Sequence, residues 1–158
     1  MSFSSQKSSL FKIRWDIRTQ RCVDRYANED GTETTSLSAS SKFLAVGAQS
    51  GVVNIYNDRF SKSFQKRSPL KSIMNLQTQI DNTKFNHDGQ ILAVSSREEK
   101  DSLKLVHVPT QTVFSNWPTS KTPLGYVWSV DFSPASKFMA IGNDKGKCLL
   151  YKLKHYSS

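Results

Sequence analysis

Apolar and polar residues alternate along this chain in short runs. In VWSVDF at 127–132, Trp128, Val130 and Phe132 alternate with Val127, Ser129 and Asp131, and in VVNIYN at 52–57, Val53 and Ile55 share one face. A period of two is that of a strand with one face on a core. Turn signals separate the runs: NEDGT at 28–32, QSG at 49–51, HDG at 87–89, SPAS at 133–136 and NDKG at 143–146. No stretch carries an amphipathic helical face of useful length. The first full unit is expected to hold four strands, near TTSLSA, KFLAVGA, VVNIYN and, outermost, LKSIMNL at 70–76.

The runs also repeat. FLAVGAQSGVVNIYND at 43–58 and FMAIGNDKGKCLLYKL at 138–153 share Phe43/Phe138, Ala45/Ala140, Gly47/Gly142, Gly51/Gly146 and Tyr56/Tyr151, all 95 residues apart. A third copy lies between them at 91–108, with Ala93 following Ala45 by 48 residues and preceding Ala140 by 47. Upstream, Leu37, Phe85 and Phe132 each stand six residues before the next anchor, Phe43, Ile91 and Phe138. A module of this length with four strands points to an all-β chain built as a β-propeller, one blade per repeat.

The start of the chain fits the same scheme, since WDIRTQRCV at 15–23 reads as a strand closed by Trp15-Asp16, a polar turn and a return strand. It resembles the WD-repeat family, although the later copies carry Tyr56-Asn57, Val106-His107 and Tyr151-Lys152 at the dipeptide. His107 therefore takes the place of the aspartate and is expected to make a structural hydrogen bond.

Longer strings narrow the resemblance. GVVNIYN, LKSIMNL, TVFSNW, VDFSP and GNDKGKCLLYKLKHYS resemble the C-terminal third of the U3 small nucleolar RNA-associated protein 18 family, over about residues 15–157. That resemblance implies a nucleolar, nuclear WD-repeat subunit of the small-subunit processome. Its implied role is a non-catalytic scaffold for pre-rRNA processing and 18S rRNA maturation. The implied partners are other WD-repeat subunits, the U3 snoRNP and pre-rRNA, contacted directly or indirectly. A WD-repeat protein-protein adaptor unrelated to ribosome assembly is the alternative reading.

Length limits how much of a propeller is present. The smallest ring needs on the order of 160 residues or more, so 158 residues supply a partial WD-repeat β-propeller of about three four-stranded blades. The expected organisation is a polar, disordered, non-family leader at 1–14, blades at 15–153 and a short basic tail at 154–158. The leader boundary is drawn where Lys12 and Arg14 stand at positions expected to be apolar. An open arc of this kind exposes strand edges and an apolar face at each end, and is expected to be sticky.

Charge adds a polyanion to the picture: 22 Lys and Arg against 13 Asp and Glu leave +9. RFSKSFQKR at 59–67 places Arg59, Lys62, Lys66 and Arg67, continued by Lys71, around Phe60 and Phe64. Such a segment can grip RNA by phosphate contact and base stacking, or it can be a solvated loop, the commoner use of a charge run. Lys145, Lys147, Lys152 and Lys154 form a second candidate cluster for RNA or partner contact.

Catalytic chemistry finds little support. Cys22 and Cys148 stand 126 positions apart without metal-ligand spacing. Cys22 falls in an expected outer strand and Cys148 aligns with Val53 in a packed one, so both are expected as core positions. Trp117 and Trp128 are likewise expected in blade cores. No GxSxG, phosphate-binding glycine loop or HExxH occurs. No cofactor, metal or catalytic residue is assigned, and neither a secretory signal nor a membrane span is expected.

Overall fold

A computed structural model describes residues 11–27, 32–57 and 68–154. Among these residues there is no α-helix, and the strands form four small antiparallel sheets in chain order. The first sheet pairs β1 (Phe11–Asp16) with β2 (Arg21–Ala27). The second is a meander of β3 (Thr34–Ala39), β4 (Phe43–Ala48), β5 (Val53–Asn57) and β6 (Lys71–Ile73). The third repeats it with β7 (Asn82–Phe85), β8 (Ile91–Ser95), β9 (Leu103–His107) and β10 (Thr112–Val113). The fourth has three strands, β11 (Val127–Phe132), β12 (Phe138–Asn143) and β13 (Cys148–Lys152). The sheets do not close on one another. No helix among the described residues is long and apolar enough to cross a membrane.

The repeat read from the sequence is a repeat of register. Ala45 pairs Ile55, Ala93 pairs Leu105 and Ala140 pairs Leu150 in the second, third and fourth sheets. Each of these three sheets also turns between its first two strands on a polar side chain that accepts the N–H opening the second. Ser40 Oγ takes that of Phe43, Asn86 Oδ1 that of Ile91 and Ser133 Oγ that of Phe138, at 3.0, 2.9 and 3.1 Å. These bonds satisfy donors that a tight turn would otherwise leave open.

Two cores lie between sheets rather than within any one. Ala45, Val53 and Ile55 of the second sheet meet Phe85, Leu92, Val94 and Val106 of the third. The opposite face of the third sheet sends Ile91, Ala93, Leu103 and Leu105 against Val127, Val130, Met139 and Ile141 of the fourth. All five residues of β8 are therefore buried, because alternate side chains enter different cores.

The first strands of successive sheets are stitched together by polar side chains. Phe85 N–H donates to Ser38 Oγ at 3.2 Å, Asn82 Nδ2 to the Trp128 carbonyl at 3.1 Å and Asn86 Nδ2 to Ser136 Oγ at 3.2 Å. Asp101, in the β8–β9 turn, holds the link to the fourth sheet by accepting the N–H groups of Leu124 and Gly125 at 2.7 and 2.9 Å.

Four residues expected in the core stand elsewhere or at its edge. Trp128 is 53% exposed and Val127 is buried, because a register shift between Val127 and Ser129 breaks the alternation expected across VWSVDF. Trp117 is half-buried, packed on the edge of the second core. Cys148 is exposed although its counterparts Val53 and Leu103 are buried, because among the described residues no sheet lies against that face of β13. Cys22 is exposed too, in a two-stranded sheet whose Trp15 and Ile17 also face water.

Gly47 marks a close approach of β4 to the link between the second and third sheets: a Cβ there would run into Ser36 Oγ of β3 and the side chain of buried Ile80 in that link. Its counterpart Gly142 has only Ser129 as a near neighbour.

The same substitution at equivalent positions should separate the covered face from the open one. Leu105→Ala is expected to cost about 2–5 kcal/mol, as for a buried leucine, and Leu150→Ala, at 66% exposed, about 0.5 kcal/mol or less. Urea denaturation of the two variants checks this, and equal losses would refute the asymmetry.

Candidate interaction surfaces

The basic residues singled out in the sequence do not form one patch. Arg59, Lys62, Lys66 and Arg67, with Phe60 and Phe64, lie outside the described residues. Lys71 is exposed on β6, opposite Ile55 in the pairing. Lys145 and Lys147 are exposed in the β12–β13 turn, where Asn143 Oδ1 accepts both their N–H groups at 3.1 and 3.0 Å. Lys152 and Lys154 sit at the other end of β13, about 17 Å from Lys147 at strand rise. The second cluster is thus two pairs at opposite ends of one strand.

A surface not anticipated from the sequence surrounds Trp128. The Arg97 guanidinium stacks 5.0 Å from the centre of its ring, within range of a cation–π contact. Arg97 is placed by its own N–H, which donates to Asp81 Oδ2 at 2.7 Å. Tyr126, also exposed, is fixed by its N–H on Asp144 Oδ1 at 3.2 Å. Nearby, Lys84 of β7 and Asp131 of β11 form an ion pair at 3.1 Å between the third and fourth sheets. Asp131 has its pKa lowered, first by the Lys84 hydrogen bond and then by the Phe132 N–H.

The far face of the fourth sheet is the largest departure from a closed core. Phe138 and Leu150 are 40% and 66% exposed where their counterparts Ile91 and Leu105 are 4% and 6%. Together with Cys148 they make an apolar face of the kind that mediates association.

No family model matches the chain. It is 49% identical over 146 residues to the U3 small nucleolar RNA-associated protein 18 homolog of Arabidopsis thaliana, covering 91% of this chain and 27% of that protein. The U3 small nucleolar RNA-associated protein 18 of Saccharomyces cerevisiae is 47% identical over 160 residues, 98% of this chain and 27% of its own. For the Homo sapiens homolog the identity is 40% over 146 residues, 90% of this chain and 26% of that one. This stretch belongs to the U3 small nucleolar RNA-associated protein 18 family. It spans about a quarter of the length of the curated relatives it matches.

Within this family member the histidine at the dipeptide position makes the kind of contact expected of it. His107 Nδ1 is 2.7 Å from Thr110 Oγ1, and its ring meets Phe114 edge-on. At the dipeptide itself, Asp16 Oδ1 accepts the Arg18 N–H at 2.9 Å and so closes the β1–β2 turn. That bond is the first cause of the lowered pKa of Asp16. Among the described residues, no group of three His, Cys, Asp or Glu is placed to hold a metal ion.

Two outcomes are expected. Because the folded-state pKa of Asp131 is lowered, its stabilising effect is full above the ordinary value of 3.8 and disappears as pH falls through the lowered one. Asp131→Asn should therefore cost no more than about 1 kcal/mol at pH 7, since the pair is largely solvated. Thermal melts across the acid range should show wild type and variant converging below that window. Separately, sedimentation velocity should show concentration-dependent self-association of the chain that Phe138→Glu with Leu150→Lys reduces. An unchanged distribution would exclude this face.

Proposed function

We propose that this chain supplies blades of an incomplete WD-repeat β-propeller to a non-catalytic scaffold of small ribosomal subunit biogenesis. In this reading it works in the nucleolus with the U3 snoRNP and other WD-repeat subunits, supporting pre-rRNA processing and 18S rRNA maturation. The observation that carries the reading is 40–49% identity, over about nine-tenths of the chain, to proteins named for association with U3 small nucleolar RNA.

The propeller part draws support from three consecutive meanders whose first strands adjoin and whose faces pack in series. The scaffold part draws support from what fills the molecule. Its buried residues are overwhelmingly apolar, and Cys22 and Cys148 lie on separate sheets. Exposed loops that carry charged and aromatic side chains on a rigid frame suit binding.

Precipitation of the tagged protein with RNA analysis tests the reading. U3 snoRNA should be enriched over other small RNAs, and depletion should accumulate precursors of 18S rRNA. Normal precursors after depletion, with no U3 enrichment, would overturn it in favour of an adaptor outside ribosome assembly.

A further inference from the structure

The third and fourth sheets part at one end to leave a cleft of about 460 Å³. Its depth is lined by Ile91 and Leu105 of the third sheet and Met139 of the fourth, all buried. Trp117 and Tyr151 form a wall, packed edge-to-face with their centres 5.2 Å apart and their planes at 69°. The rim is different: exposed Lys152, Lys154 and Asn116 stand there, and no carboxylate lines it among the described residues.

We propose that this cleft binds a short peptide segment of a partner protein, one that inserts a large apolar side chain and flanks it with carboxylates. The volume falls in the range of binding cavities. An apolar floor of three buried side chains rewards an aromatic or aliphatic anchor that leaves water, the usual source of affinity at the centre of a protein interface. Lys152 and Lys154 supply the rim, where opposite charge steers the approach and sets which peptides bind. Single-stranded RNA fits the floor poorly. Trp117 and Tyr151 turn their planes across each other, so they offer no stacked platform for successive bases.

The proposal rests on the scaffold reading, for which it names a class of partner and a place of contact. Its test is independent of U3 snoRNA. The probe is a fluorescein-labelled peptide with a central Trp-Leu pair between acidic flanks. Two control peptides replace the central pair by Ser-Ser or the flanks by lysines, and a uridine decamer serves as the RNA control.

The full chain should bind the probe with an affinity that weakens as salt rises. Both control peptides should bind roughly tenfold or more weakly, and the uridine decamer should not displace the probe. Lys152→Glu with Lys154→Glu, two exposed changes, should reduce probe binding by about tenfold or more. Asn116→Trp, at the mouth, should block it while leaving the thermal melt unchanged. Methyl signals of Ile91, Leu105 and Met139 should shift on titration.

No probe binding, binding indifferent to both variants, or displacement by the uridine decamer would each overturn the proposal. Loss of U3 snoRNA recovery with probe binding intact would instead count against the functional reading and leave the cleft standing.

Discussion

Burial between the faces of successive sheets is the interaction on which the rest of this structure depends. None of the sheets has a core of its own, since a meander of four short strands has two faces and no interior. A small sheet is stable only when a face is covered. The third sheet is covered on both sides, by Ala45, Val53 and Ile55 on one and by Val127, Val130, Met139 and Ile141 on the other. Each aliphatic side chain so enclosed contributes about 1.5–3 kcal/mol. The order of stacking decides which positions are core and which are surface.

Polar side chains set how the faces meet. Ser38, Asn82 and Asn86 tie the first strands of neighbouring sheets together, while Asp101 fastens the link from the third sheet to the fourth. Because these bonds lie along one line of adjoining strands, the outer strands are free to diverge, and a cleft opens where the third and fourth sheets part. The same arrangement leaves the Arg97–Trp128 pair and the lysines of β13 facing water on a fixed frame. Binding surfaces of this kind need no mobile catalytic apparatus, and they suit the scaffold role proposed for a member of the U3 small nucleolar RNA-associated protein 18 family.

Much of the fold was legible in the residues because its signals are local. Alternation marked β5 and β11, and turn motifs marked the β4–β5, β7–β8, β11–β12 and β12–β13 connections. Equal spacing ties the three meanders together in the sequence itself. Trp128 was misread because a bulge shifts the phase of the strand by one residue, and the extra residue leaves no mark in the hydrophobic pattern. Cys148 departs from expectation because its alignment with Val53 fixes its position in the repeat but not the sheet that would cover it, and Cys22 because it lies in a two-stranded sheet whose Trp15 also faces water.

That distinction separates what the amino-acid sequence by itself determined from what the tertiary structure decided. Strand pairing, turn chemistry and the register that places Ala45 on Ile55, Ala93 on Leu105 and Ala140 on Leu150 are properties of neighbouring residues, so one module specifies them each time it recurs. Whether Ile55, Leu105 and Leu150 are buried depends on a second sheet lying against that face. Among the described residues the first two have such a sheet and the third does not. The split basic cluster and the cleft between the third and fourth sheets have the same origin. Both are set by how separate sheets stand relative to each other, a relation that no short window of residues encodes.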